Sequence, residues 1–408
     1  MNTLRSLPAG AGAAPQATDR RLMPKAPVLA WSDFRHLGSG GAPNIGSLPH
    51  RAYVSSGRAA LYAALRQCEL PPGARVLVPT YHCPTMVAPI VEAGCTPEYY
   101  AIDTRGLPRL DLIDPRPGER RVMFVAHFFG LPHGLAEVQA WCRAHGVVMV
   151  EDCAHSYFGM AGDRPVGQWG DYATTSIAKF FPVPEAGLLA SARTPLKPLD
   201  LVPCGLRTQL RTAWDVLHRA HDHAELAGVS HLIAPVLHLR GRGRPVLPPV
   251  GPDEQTDQEI IDGCDMGRIR QALPVAAAAL HRLLPLAGMV RSRRARFLRY
   301  GELLAAAPGA QPLNLPLDRH AAPYVYPLWV DGAERADAVY ARMRADRLPV
   351  FRWDRLWPGT PRLAGDEGAL WGRQVLQLLC HQSLHADEID FVAERTLHAL
   401  RSAPSNAS

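Results

Sequence analysis

Between about Ser55 and Arg193 the chain alternates short β-branched or aromatic runs with helix-patterned stretches, and few folds accept that rhythm. The segments RVLVP, PEYYAI, RVMFVAH and VVMVED have the composition of strands. RAALYAALRQCEL, PTMVAPIVEAG and GLAEVQAWCRAHG have the 3.6-residue periodicity of helices. Successive parallel strands must be joined by crossover segments, so the alternation predicts an α/β fold with a mostly parallel sheet covered by helices on both faces. Gly57 and Pro84 stand where two of these helices begin, and Gly146 where the third ends.

The remaining sequence divides around this unit. Residues 1–30 read as a disordered lead-in and 31–263 as a large domain with a Pro/Arg-rich excursion at about 194–263, a helix followed by HLRGRGRPVLPPVGPDEQ. Residues 264–310 read as a helical connector with boundaries at Pro274 and Pro285. Residues 311–400, with YVYPLWV and VLQLLCHQ as strands and ERADAVYARMRADR and ADEIDFVAERTLHAL as helices, read as a small α+β domain.

Composition narrows the partners. With 47% hydrophobic and 20% charged residues the chain is of globular type. The net charge of +6 is dispersed along it, without the clustered basic face or interleaved aromatics of a nucleic-acid binder. No apolar run reaches the ~20 residues that cross a bilayer, and the N-terminus lacks the run of ~7–15 apolar residues of a secretory signal. The eight cysteines include no CxxC pair, which argues against a zinc site or disulfide framework and for a reduced, cytoplasmic setting with no metal.

In open α/β sheets ligands bind beyond the carboxyl ends of the strands, where this sequence places Tyr81 and His82, His127, and Asp152 and His155. Burying Asp152 alone at the end of VVMVED would cost several kcal/mol, so it needs a helix end, an arginine or a bound cation such as a pyridinium nitrogen. Lys179, in GDYATTSIAKFFPVPEAGLLAS, is the only lysine between Lys25 and Lys197 in a chain that otherwise prefers arginine. An amine forms an imine where a guanidinium cannot, although an isolated lysine also serves as plain surface charge. The turn Ser55-Ser56-Gly57-Arg58 opens a helix and points free N–H groups at an anion, unless it is simply a cap. Ser56, Gly57 and Arg58, with Ser176 from the lysine segment, are the candidate phosphate ligands. His381, Gln382 and His385 read either as substrate ligands or as a solvated turn, and Trp353 and Trp357 as pocket walls or core. Arg293, Arg294 and Arg296 read as a solvated or salt-bridged helix face.

Taken in order, SSGRAALYAAL, LVPTYHCPTMVAPIVEAGCTPEYYAID, FVAHFFGLPHGLAEVQAWCRAHGVVMVEDCAHSYFG and VGQWGDYATTSIAK with EAGLLAS resemble the DegT/StrS-type sugar aminotransferases, pyridoxal 5′-phosphate (PLP) enzymes of fold type I. The resemblance runs from about residue 50 to 192 and is fainter beyond. It implies Lys179 as the Schiff-base lysine and general acid/base, and Asp152 on the ring nitrogen. His155 then lies near the phenolic oxygen, and Ser56, Gly57, Arg58 and Ser176 lie at the phosphate. The ring-stacking aromatic falls between Pro79 and Cys83, with His82 favoured and Tyr81 second. Strict counting lands on Cys83, which cannot stack. Arg58 replaces the family's usual Thr, and Ala186-Gly187 its Gly-Gly. The resemblance further implies a homodimer with shared active sites that moves an amino group from glutamate to a keto-sugar, usually nucleotide-linked, in polysaccharide or secondary-metabolite synthesis. A PLP-dependent elimination or condensation, or a non-catalytic PLP-fold sensor or partner subunit, are the alternatives.

Overall fold

The structure is a computed structural model and describes residues 23–34, 41–228 and 256–404. Its centre is a seven-stranded sheet in the order β1-β9-β8-β5-β4-β2-β3. The strands are β1 (His50–Val54), β2 (Arg75–Pro79), β3 (Thr96–Tyr100), β4 (Val122–Ala126), β5 (Val148–Asp152), β8 (Tyr172–Ser176) and β9 (Gly187–Ser191). Strands β3, β2, β4, β5 and β8 pair in parallel, and β9 runs antiparallel to both of its neighbours. A small hairpin of β6 (Met160–Ala161) and β7 (Arg164–Pro165) lies between β5 and β8 in sequence.

The crossovers are α1 (Gly57–Gln67), α2 (Pro84–Glu92) and α3 (Ala136–Ala144), within the segments whose periodicity predicts helices. Alternation along the strands explains why helices cover both faces. Val76, Val78, Phe124 and Val150 pack with Leu61, Ala64 and Leu65 of α1 and Val87 and Ile90 of α2. The intervening Leu77, Met123, Val125 and Met149 belong to the core on the other side, with Val138 and Cys142 of α3.

After β9, α4 (Leu206–Asp222) occupies the start of the 194–263 excursion, whose residues 229–255 lie outside the described residues. Pro274 and Pro285 cap the helices Val275–Leu283 and Leu286–Leu303. A second, four-stranded sheet of β10 (Ala310–Pro312), β11 (Val325–Val330), β13 (Val375–Leu379) and β12 (Val350–Phe351) is covered by the helices Ala333–Ala345, Gly368–Gln374 and Ala386–Ser402.

The reading of residues 1–30 as a disordered lead-in needs correction where the structure describes them. Val28, Leu29 and Ala30 are buried, the Val28 N–H donates to Ser383 Oγ at 3.0 Å, and the Pro24 carbonyl lies 3.0 Å from His381 Nε2. The short apolar run APVLA is tied to the segment that follows β13, a long-range contact that local composition cannot reveal.

Candidate active site

The carboxyl ends of adjacent parallel strands bring the two key residues together. Asp152 ends β5, and β8 runs beside it with Thr174 opposite Asp152. The chain then turns once through Ile177–Lys179, so Lys179 arrives on the same side of the sheet. Both line a cavity of about 230 Å³ with Ser56, Gly57, Arg58, Cys83, Phe128, His155, Ser176 and Trp353.

Its anion end is built by close backbone approach. Ser56 caps α1, its hydroxyl accepting from the Ala59 N–H at 3.2 Å, while the first-turn amides of Gly57 and Arg58 lie ahead of the helix's own carbonyls. A Cβ on Gly57 would sit 2.9 Å from Ser176 Cβ, and one on Gly187 would sit 2.0 Å from the Ser56 carbonyl oxygen. These two glycines let α1, β9 and the start of the lysine turn converge on one point.

At the other end, Asp152 Oδ1 accepts from the Ala154 N–H at 2.9 Å. Burial raises the carboxyl pKa, and the nearby Lys179 charge works against that. Burial in turn lowers the Lys179 amine, which is the direction needed for a nucleophile or base near neutrality. The Nζ stands 5.1 Å from the centre of the Tyr324 ring.

His155 is the most informative side chain. Its Nδ1 accepts from the Phe129 N–H at 3.3 Å, and burial next to Lys179 holds its pKa well below the usual histidine value, so the ring is neutral with its proton on Nε2. That Nε2 is buried without a hydrogen-bond partner among the described residues. The ring is fixed by stacking on Tyr324 (4.4 Å between centroids) and against Trp353 (4.8 Å). A fixed donor with nothing to donate to calls for an acceptor in the cavity. An aromatic ring bearing a phenolic oxygen, a basic nitrogen and a phosphate fits this set: His155 for the oxygen, Asp152 for the nitrogen, the α1 amides and Ser176 for the phosphate.

Two expected ligands stand elsewhere. His82 is fully buried away from the cavity, with Nδ1 2.9 Å from the Pro79 carbonyl, Nε2 accepting from the Trp357 N–H at 3.1 Å, and its ring stacked on Tyr99. Tyr81, the second choice, is buried among Phe128, Phe129, Trp353 and Trp371 and donates no face to the cavity wall. Cys83, which counting along the motif indicates, is the residue that lines it, its thiol 3.0 Å from Thr85 Oγ1. Arg58 borders the cavity, but its guanidinium is bound by Glu185 (2.9 Å) and Asp265 (3.3 Å), and its Nε donates to the Asp265 carbonyl. Its backbone amide is therefore its contribution to an anion site.

Some site residues escaped sequence reasoning. Phe128 follows a strand end and could have been found by the same rule that found His127. Tyr324 comes from the distant C-terminal region with no local pattern to mark it, whereas Trp353, read from the sequence as pocket wall or core, does line the cavity. Glu151 ends in a different role from its neighbour. Its carboxylate accepts from the Gly167, Trp169 and Gly170 amides at 2.6–2.9 Å and pairs with His127 at 3.0 Å, fixing the loop before β8. His381 and His385 lie off the cavity, His381 against Pro24 and His385 at the cap of Ala386–Ser402.

The model of the DegT/DnrJ/EryC1/StrS aminotransferase family matches residues 45–192. This stretch, a little over a third of the chain, is what resembles that family. Among curated proteins, the chain is 29% identical over 150 residues to the UDP-N-acetyl-3-dehydro-alpha-D-glucosamine 3-aminotransferase of Acidithiobacillus ferrooxidans, covering 35% of this chain and 38% of that protein. It is 27% identical over 131 residues to the GDP-perosamine synthase of Vibrio cholerae, covering 31% and 35%. The matches thus span little more than a third of these relatives' length. Over the whole fold, the aminotransferase TlmJ of Streptoalloteichus hindustanus superposes with a TM-score of 0.58 at 20% identity, covering 86% of each chain. DesV of S. venezuelae gives 0.59 at 18%, covering 88% of this chain and 86% of its own. The fold is that of the fold type I aminotransferases.

Proposed function

We propose that this protein is a PLP-dependent aminotransferase that takes an amino group from an amino acid, glutamate being the expected donor, and places it on a keto-sugar or similar ketone, nucleotide-linked in the simplest reading. The observation that carries this is the convergence of Lys179, Asp152, the neutral His155 and the α1 N-terminus on one cavity. The relatives' names, all of them amino-transfer or amino-sugar enzymes where they state an activity, support the class of acceptor.

When bound, the cofactor supplies an electron sink for the carbanion formed at the amino-bearing carbon. The protein's own groups do the rest. Asp152 would hold the ring nitrogen as a carboxylate and keep a proton there. Lys179 Nζ, deprotonated more readily because it is buried, would take the proton from the amino-bearing carbon of the substrate and deliver it to the cofactor carbon that had been joined to the amine. His155 Nε2 fixes the phenolic oxygen, while Phe128 and Trp353 keep water from the reacting atoms. The same reading places the protein in the cytoplasm as a homodimer whose partner subunit completes each site.

Incubating the purified protein with PLP, ¹⁵N-labelled glutamate and a panel of nucleotide-linked keto-sugars tests the assignment. Label in an amino-sugar product supports it. Consumption of the sugar with loss of water and no ¹⁵N incorporation would instead establish the elimination chemistry.

A further inference from the structure

The sequence reads Arg293 as part of a solvated or salt-bridged helix face, and the structure buries it completely. A buried cation costs several kcal/mol unless a carboxylate or a full set of acceptors compensates, and no carboxylate pairs with this one among the described residues. Its acceptors are neutral: the Lys179 carbonyl at 2.6 Å from Nη2, the Pro323 carbonyl at 3.2 Å from Nη1, and Gln382 Oε1 at 2.9 Å from Nε. Its guanidinium carbon lies 4.7 Å from the centre of the Phe180 ring. Gln382 completes the set, its Nε2 donating to the Phe180 carbonyl at 2.7 Å.

The arrangement is directional. Two side chains that bond each other seize two consecutive carbonyls, those of Lys179 and Phe180. Arg293 belongs to the helix Leu286–Leu303, and Gln382 follows β13 of the C-terminal sheet. A buried arginine used only to join helices would be satisfied by any nearby acceptors. Here its fork and the amide beside it close on the backbone of the one lysine that faces the cavity.

We infer that Arg293 and Gln382 are positioning residues for Lys179, a clamp through which the C-terminal region fixes the depth at which the lysine side chain enters the cavity. The inference rests on the proposed function only in treating Lys179 as the reacting amine, and its test needs no cofactor. Gln382→Met keeps the volume, removes both bonds and leaves Arg293 its other acceptors, so the chain folds. Arg293→Lys keeps the charge but replaces a planar fork by a single point.

Hydrogen exchange and lysine acylation on the cofactor-free full chain read the clamp. Of the two bonds removed, only the one to the Phe180 carbonyl holds the segment directly, and its loss, worth on the order of 1.4 kcal/mol, speeds local opening about tenfold. Backbone exchange over residues 177–183 is therefore expected to rise by about that factor in Gln382→Met, with the strands of the C-terminal sheet unchanged. Acylation of Lys179 by a small reagent should rise at least ~3-fold relative to Lys197 in the same sample, because a loosened turn lets the amine reach solvent. Arg293→Lys should show the same pattern, more strongly. An exchange increase spread evenly over residues 310–400 with the Lys179 to Lys197 ratio unchanged would overturn the inference, reducing the pair to a fastening between domains. Unchanged exchange and acylation in both variants would overturn it equally.

Discussion

Gly187→Ala is the smallest substitution that the geometry of the anion end forbids. The added Cβ would lie 2.0 Å from the Ser56 carbonyl oxygen and 2.4 Å from its carbonyl carbon, both of them backbone. Gly187 cannot retreat, since it is paired with Val54 of β1 on one side and Ser176 of β8 on the other. The N-terminus of α1 must move instead, although the Ser56 carbonyl also accepts the Ala60 N–H at 3.0 Å. Overpacking of this kind costs roughly 1–3 kcal/mol. Loss of the Ser56 cap adds roughly 1 kcal/mol. The total of roughly 2–4 kcal/mol falls on the element that would hold the phosphate, so affinity for PLP should drop by about 30-fold or more even where the chain stays folded. Urea unfolding and titration of the cofactor-free protein with PLP measure the two effects. A variant with unaltered unfolding midpoint and unaltered PLP affinity would refute the placement of the anion site between α1 and β9.

Two further substitutions separate chemistry from folding. Asp152→Asn preserves the acceptor for the Ala154 N–H and removes a buried charge, so its melting temperature should hold or rise, while amino transfer falls by roughly 10²-fold or more in steady-state assays. His82 has its pKa lowered to about 4 by burial, against about 6.5 in the unfolded chain. Its contribution is fully present above pH 6.5 and is lost as the pH falls from 6.5 toward 4, because only the unfolded chain then takes up the proton. That amounts to at most roughly 3 kcal/mol. Urea unfolding at pH 7 and pH 4.5 should show a smaller acid loss for His82→Asn than for the wild-type chain, and equal losses would contradict the neutral, buried imidazole.

Much of this architecture is legible because local pattern and tertiary role agree. The β2, β4 and β5 runs are apolar on both faces, and α1 to α3 carry a clear apolar stripe, so the parallel core could be read directly. That Asp152, Lys179 and the Ser56-Gly57 turn line one cavity was legible for a related reason: strand ends and helix starts are where an open sheet binds ligands. His82 shows where the reading failed. Its position in the motif is correct to within one residue, but the turn after β2 rotates the ring into the protein, where two backbone groups satisfy both nitrogens, and Cys83 takes the cavity wall. Arg293 failed for the opposite reason. An arginine-rich helix predicts a solvated or salt-bridged face, and the distant carbonyls of Lys179 and Pro323, with Gln382 Oε1, make burial affordable. Tyr324 reaches the site through long-range packing with no local signature, beside Trp353, one of the two readings of which was a pocket wall.

The central claim is that Lys179 is the amine that holds PLP. The most direct measurement is to load the full chain with PLP, reduce it with borohydride and map the pyridoxyl group by peptide mass spectrometry, beside the visible absorbance of the unreduced protein. The account predicts a visible band in the wild-type chain, its loss in Lys179→Ala, and the reduced adduct on the peptide containing Lys179. An adduct confined to Lys25 or Lys197, or a band that persists in Lys179→Ala, would contradict it.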